Sequence, residues 1–288
     1  MAETNLSKTS AEITPSYIIL GAGVFGASTA YHLIKKYPSA SITLVDRTTG
    51  PCQNAASWDW NKVVRADYED PFYMRLALEA MDFWTEDVLF KPYFHRNGAV
   101  WIMPNPEYPE RVARNYKELG ANLDFEIFPA AELRKRYDGL FEGTDLTGAG
   151  GVFLNKSSGW AEAKDALARL IDEAVKANVR NIALDVGRLI FNEQGVCEGV
   201  EAHNGEQLKA DRIILCTGAY TAKLLADSVP NRKDWQIGNR LTAAAVVEGT
   251  IKLDSARLEK FIKGPVFIHN VLVEGPLTPW CLICPTNR

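Results

Sequence analysis

The stretch SYIIL at residues 16–20 runs straight into Gly21-Ala22-Gly23-Val24-Phe25-Gly26, and this junction limits the fold more than any other feature of the chain. A short apolar run of this kind predicts a buried parallel strand. The pattern ASTAYHLIKKY that follows predicts a helix, and SITLV (41–45), closed by Asp46, predicts a second strand. Strand, G-x-G-x-x-G, helix, strand and acid within about 30 residues match the length of a dinucleotide-binding βαβ unit. An isolated G-x-G-x-x-G is often only a tight turn; the flanking elements favour the binding reading. Each glycine has its own task. Gly21 permits the turn, Gly23 lets main chain approach a pyrophosphate, and Gly26 lets the helix pack on the strand. Val24 and Phe25 open the helix, whose first N–H groups and positive dipole end suit phosphates. Asp46 can accept from ribose hydroxyls, with Arg47 beside it.

The fingerprint alone does not distinguish NAD from FAD, although Asp46 at the ribose disfavours a 2′-phosphate. The later chain separates them. A helix predicted over 161–178 is followed by short strands with turns at Asn192–Gly195 and Asn204-Gly205. The last strand, Arg212 to Leu215, ends in Cys216-Thr217-Gly218-Ala219-Tyr220. A strand ending in Thr-Gly after a small meander fits a flavoprotein, whereas an NAD dehydrogenase more often continues in regular βα repeats.

A second cluster, SWDWNKVVRADY (57–68), follows a loop in which Gly50, Ala55, Ala56 and Ser57 are small enough to pass a pyrophosphate. Lys62 and Arg65 are its cations. They could be outward charges on an ordinary surface strand, with Trp58 and Trp60 as packing or pocket wall. Arg is also the side chain whose planar fork pairs bidentately with a carboxylate.

Gly21–Gly26 with Asp46, then Asn61-Lys62-x-x-Arg65, then IILCTGAYTAKLL (213–225) occur in this order and spacing in one family. Over about residues 17–268 the chain resembles the FAD-dependent amine oxidases of the D-amino-acid-oxidase superfamily, in the branch of sarcosine, pipecolate, saccharopine and fructosyl amino acid oxidases. The resemblance implies an α/β fold: a Rossmann-like FAD-binding domain (16–97 and 148–235) interleaved with a mixed-sheet α+β substrate domain (98–147 and 236–288), after a loose tail at 1–15. It implies FAD as cofactor, held also by Ala56, Ser57, Lys62, Thr217 and Gly218. It implies oxidation of the C–N bond of a secondary amino acid, with hydride passing to the flavin and O₂ reduced to H₂O₂. Arg65 then matches the position that holds the substrate carboxylate, Lys62 a cationic position near the flavin, and Tyr68 a residue near the substrate. The implied partners are a small amino-acid or amine substrate and O₂, for a monomer in the cytoplasm or, for a longer parent, the peroxisome. The ending GPLTPWCLICPTNR does not follow the family, so the substrate domain is expected to be incomplete. An inactive remnant and an NAD-dependent dehydrogenase are the alternatives.

Composition narrows the rest. Among 288 residues the net charge is −4, which gives no reason to expect nucleic-acid binding. No run of 18 apolar residues is available to span a membrane. Five scattered cysteines and four histidines show neither a disulfide framework nor metal-site spacing, and Cys281-Leu282-Ile283-Cys284 is read as chance. Asp70-Pro71 predicts a capped helix to about Asp87, with Phe72, Leu76, Ala80, Phe83 and Trp84 as its core stripe. Gly98–Met103 and Leu241–Val247 are expected to share a sheet in the substrate domain, with charged helical inserts at 107–147. Asp254 predicts the cap of a short helix stopped by Gly264-Pro265.

Overall fold

The computed structural model describes residues 15–122, 124–244, 251–269 and 280–281. The chain forms two compact units, residues 1–58 with 167–245 and residues 59–166 with 246–288. It opens with β1 (Tyr17–Leu20), α1 (Val24–Lys36) and β2 (Ile42–Asp46). The second unit begins with β3 (Lys62–Val64), α2 (Pro71–Glu86), β4 (Phe94–His95), β5 (Ala99–Met103) and α3 (Glu107–Glu118). It continues through β6 (Phe125–Phe128), α4 (Ala130–Leu133), β7 (Gly151–Asn155) and β8 (Gly159–Ala161). After α5 (Ala163–Lys176) come β9 (Arg180–Ala183), β10 (Val186–Phe191), β11 (Cys197–Ala202), β12 (Gln207–Lys209), β13 (Arg212–Leu215) and α6 (Thr221–Ser228). The last described elements are α7 (Ser255–Phe261), β14 (Val266–His269) and β15 (Trp280–Cys281).

In the first unit a parallel sheet has the order β13-β1-β2-β9. Ile18, Leu20 and Val45 face the antiparallel meander β10-β11-β12 and Leu224 of α6. On α1 the buried side chains Ala27, Ala30 and Ile34 fall at helical spacing, and α1 packs on β1 and β2. Both meander turns bear out their sequence signal: Gly195 and Gly205 take φ of 76° and 87°, the left-handed region that glycine enters without steric cost.

The second unit is built on a five-stranded sheet, β15-β14-β5-β7-β6. All five residues of β5 are buried, and they alternate between two cores. Ala99, Trp101 and Met103 join Met74 of α2 with Val112 and Tyr116 of α3. Val100 and Ile102 join Leu133 of α4, Phe141 and Phe267. Burying each large aliphatic or aromatic side chain in these cores contributes roughly 1.5–3 kcal/mol.

Several expectations change here. The compact units divide at 58/59, 166/167 and 245/246, where the domain boundaries are expected at 97/98, 147/148 and 235/236. β7 pairs antiparallel with β5, Trp101 opposite Phe153, so residues 151–155 belong with the second unit's sheet. The parallel neighbour of β5 is β14, with Val266 opposite Ala99. Residues 241–244 form no strand, and 245–247 lie outside the described residues, as do 1–14 of the expected tail. Phe125–Phe128 adds an edge strand within the expected helical insert.

Helix α2 starts as expected, with the Asp70 carboxylate accepting from Phe72 N at 2.8 Å. Its expected core stripe is instead the open side: Phe72, Leu76 and Phe83 are 53, 46 and 48% exposed, Ala80 is exposed and Trp84 half-buried. The helix turns Met74, Ala77, Leu78 and Met81 inward. One polar stripe, Arg75, Glu79, Asp82 and Glu86, runs along it with apolar residues on both sides, so periodicity could not choose between those two sides. Helix α7 is capped as expected by Asp254, which accepts from Arg257 N at 2.8 Å.

Candidate functional site

In the first unit β1 has β2 on one side and β13 on the other. The crevice at their carboxyl ends is therefore the point at which the strand order reverses, the usual ligand position in an open α/β sheet. The glycine loop leaves β1 there. Gly21 N donates to Val45 O at 2.7 Å, and Cys216 N donates to Leu20 O at 2.7 Å, so both parallel ladders run on into the loops. Gly21 takes φ of 102°, and a Cβ on it would strike the Cys216 carbonyl. A Cβ on Gly26 would overlap the Gly21 carbonyl oxygen, which is why α1 can lie against the loop only with glycine at this position.

Gly23 is the N-cap of α1 and offers no side chain, while its carbonyl accepts from Ala27 N at 2.9 Å. The loop 50–58 returns to this point: Ser57 Oγ accepts from Val24 N at 3.0 Å. A Cβ on Gly23 would meet only that hydroxyl, at 2.9 Å. The first turn of α1 is open, with Phe25 79% exposed and Val24 also exposed. Asp46 lies at the end of β2. Its Oδ2 accepts from Ala22 N and its Oδ1 from Arg47 N, each at 2.7 Å. Asp46 thus ties the glycine loop to β2, a bond the sequence did not reveal, and each oxygen keeps a second lone pair for a hydroxyl donor. The Arg47 side chain and Ala56 are exposed.

On the other side, Gly218 has φ of 55° and open space where a Cβ would be. Thr221 Oγ1 donates to Gly218 O at 2.7 Å, so the Thr217 hydroxyl, also at 2.7 Å, donates to Thr221. Burial pushes the Cys216 thiol above its ordinary pKa, so it stays neutral beside this loop. Gly21, Gly23, Val24, Phe25, Gly26, Asp46, Ser57, Thr217 and Gly218 come together around one open, main-chain-lined cradle. A glycine-bordered helix N-terminus with an acid at the next strand end fits the diphosphate and ribose of FAD.

Lys62 and Arg65 belong to the second unit. Lys62 Nζ pairs with Asp59 Oδ2 at 2.9 Å on an exposed surface, and Lys164 Nζ sits 4.3 Å from the Trp60 ring centre. Arg65 is enclosed. Its Cζ lies 4.1 Å from the Tyr68 ring centre and 4.9 Å from that of Trp101, and Nη1 donates to Asp67 O at 2.6 Å. Its side chain remains 16% exposed. Among the described residues, Nε and Nη2 have no protein acceptor, so one edge of the fork is free for a ligand.

Asp67, fully buried, is the residue that sequence reading missed. Its Oδ1 accepts from Asn155 Nδ2 and Ser158 Oγ at 3.3 Å each. Its Oδ2 lies 3.9 Å from Arg65 Nη1 and 3.3 Å from the Tyr108 hydroxyl, which donates to Asp67 O at 2.6 Å. Burial, and then the charge of Asp67, hold the Tyr108 hydroxyl far above the usual phenol range; burial chiefly pushes Tyr116 up to about 12. Only an acid two residues beyond a candidate arginine hinted at this node.

Among the described residues, no group of three His, Cys, Asp or Glu could hold a metal, and no helix is long and apolar enough to cross a membrane. The side chains of Cys281 and Cys284 lie outside the described residues.

The family model for FAD dependent oxidoreductases matches residues 16–253, and the chain belongs to this family. It is similar to an L-saccharopine oxidase of Schizosaccharomyces pombe, 31% identical over 218 residues covering 70% of this chain and 50% of the relative. It is also similar to an amino acid oxidase of Aspergillus flavus, 27% identical over 256 residues, covering 73% of this chain and 53% of the relative. Among solved structures, the fructosamine oxidase Amadoriase II of Aspergillus fumigatus superposes with a TM-score of 0.69 at 25% identity, covering 89% of this chain and 58% of that one. The chain spans about half the length of the curated relatives it matches.

Proposed function

We propose that the chain carries the cofactor cradle and substrate-carboxylate anchor of an oxidase that acts on the C–N bond of a secondary amino acid. The observation that carries this reading is Arg65, held between Tyr68 and Trp101 with the Nε and Nη2 edge of its fork unclaimed. That edge matches the two oxygens of a carboxylate. The relatives named for saccharopine and amino acid oxidation support the substrate class. Bound FAD would supply a two-electron acceptor, taking hydride from the carbon next to nitrogen and passing the electrons to O₂ to give H₂O₂. The chain's own part is binding and orientation: the α1 N-terminus and Gly23 hold the diphosphate, Asp46 the ribose, and Arg65 the substrate. Lys62 contributes a cation whose field Asp59 partly offsets.

The test uses the purified chain loaded with FAD. A flavin spectrum and peroxide release with sarcosine, pipecolate, saccharopine or a fructosyl amino acid are the expected results. Arg65→Lys keeps the charge but loses the fork, so KM for the amino acid should rise at least tenfold while flavin content stays constant. The matching amine without a carboxylate should be poorly oxidised by both forms. Equal losses for the two substrates would assign Arg65 to the fold or the flavin instead, and a colourless protein would sink the cofactor part of the reading.

A further inference from the structure

We propose that Asp67 is a specificity-determining counter-ion: by neutralising Arg65 it makes the anchor select a net-neutral, zwitterionic amino acid over a net anion of the same shape. This rests on the reading of Arg65 as the carboxylate anchor.

A carboxylate removed from water is costly unless it is paired and hydrogen-bonded. Asp67 is fully buried, and its nearest cation is Arg65, with Nη1 3.9 Å from Oδ2. Asn155 and Ser158, both buried, hold Oδ1, the oxygen other than the one nearest Arg65, and Tyr108 holds the main-chain carbonyl that Arg65 Nη1 also uses. The carboxylate therefore cannot swing away when a ligand arrives. The next acid, Glu69, is already matched by Arg111, whose Nε lies 2.9 Å from its Oε1. Arg65 and Asp67 together thus carry no net charge before binding. A ligand whose carboxylate meets the free Nε–Nη2 edge also feels Asp67 across the width of one guanidinium, on the side where Asp67 is fully buried and little solvent screens it. An amino acid brings an ammonium group that offsets this repulsion. A hydroxy or alkoxy acid brings none.

Sarcosine and methoxyacetate test this directly. They are close in shape, each with a two-carbon acid and a methyl group, but at pH 7 one is a zwitterion and the other an anion. Binding is measured by calorimetry under anaerobic conditions on the chain loaded with FAD that has been reduced beforehand, so that sarcosine binds without being oxidised. The wild type should bind sarcosine more tightly; a wild-type preference for methoxyacetate overturns the proposal without any variant. In Asp67→Asn, methoxyacetate should bind more tightly than in the wild type, and the sarcosine-to-methoxyacetate preference should fall at least about tenfold. Damage to the fold cannot tighten a ligand, so a gain in methoxyacetate affinity separates a charge effect from a structural one. An unchanged preference, with both ligands weakened together, overturns the proposal. Arg65→Lys is the control for the underlying reading. If it weakens both ligands while Asp67→Asn leaves the preference intact, the anchor stands and the counter-ion fails. If it alters neither, the anchor itself fails.

Discussion

The cradle in the first unit and the Arg65 node in the second solve opposite problems with opposite materials. The cradle is made of main chain: Gly21, Gly23 and Gly26 matter for the atoms they lack, and most of its polar groups are N–H and C=O. The node is made of side chains: Arg65, Tyr108, Asn155 and Ser158 converge on the buried Asp67, and Asn155 and Ser158 are themselves buried. A main-chain site tolerates side-chain variation but no added Cβ. A side-chain site tolerates added volume at its edge but no change of polarity at its centre.

The largest effect should come from adding one methyl group to the cradle. Gly26→Ala puts a Cβ into the Gly21 carbonyl, main chain against main chain, and should cost about 3 kcal/mol in denaturant unfolding together with all bound flavin. Gly23→Val should remove flavin while leaving unfolding nearly unchanged, because only the Ser57 hydroxyl stands in the way. Equal stability losses in the two variants would break the distinction between a glycine needed for the fold and one needed for the ligand.

Removing polarity from the node is the matching experiment. Asp67→Ala leaves the buried Asn155 and Ser158 donors without their acceptor and Arg65 without its counter-ion, and should cost about 3 kcal/mol. A loss below 1 kcal/mol in thermal or denaturant unfolding would mean that the node is wetter than its burial implies.

The node also sharpens the comparison through pH. Tyr108 and Tyr116 ionise in the folded state only above the unfolded value of about 10. Their contribution is whole below pH 10 and is lost as pH rises towards the folded values, since the unfolded chain releases these protons first. Stability should therefore fall more steeply above pH 10 in the wild type than in Tyr108→Phe or Tyr116→Phe. Beside the cradle, the Cys216 thiol, also raised by burial, gives a slope of the same sign that begins at lower pH, because an ordinary thiol ionises before a phenol.

What could be read in advance divides along the same line. Gly21 to Asp46 and Thr217-Gly218 were legible because a main-chain site needs particular residues at particular spacings. Asp70, Asp254 and the turns at Gly195 and Gly205 were legible for the same reason, being local requirements. Asp67 was not, because its partners Tyr108, Asn155 and Ser158 come from distant segments, and nothing local marks an acid for burial. The pairing of β5 with β7 and β14 was hidden likewise: β7 was assigned to the other domain because strand pattern does not name a partner.

The smallest effect tests the remaining misreading, the orientation of α2. Leu76→Gln, on the open side, should change stability by less than about 0.5 kcal/mol. Met74→Ala, on the buried side, should cost roughly 2–4 kcal/mol. The reverse order would restore the stripe that periodicity suggested.

The register of the two sheets bears on how the protein is made. Tyr17 waits for Arg212 and Ala99 waits for Val266, so both sheets remain incomplete until those residues are made. The chain leaves the first unit before closing it, builds most of the second, and returns. A ribosome that has just released α5 therefore carries two open sheets at once, each with an apolar strand edge and no local segment to cover it. Interleaving thus denies the nascent protein the usual safeguard of finishing one domain before starting another. The interval between residues 166 and 269 is when a chaperone matters most to its yield.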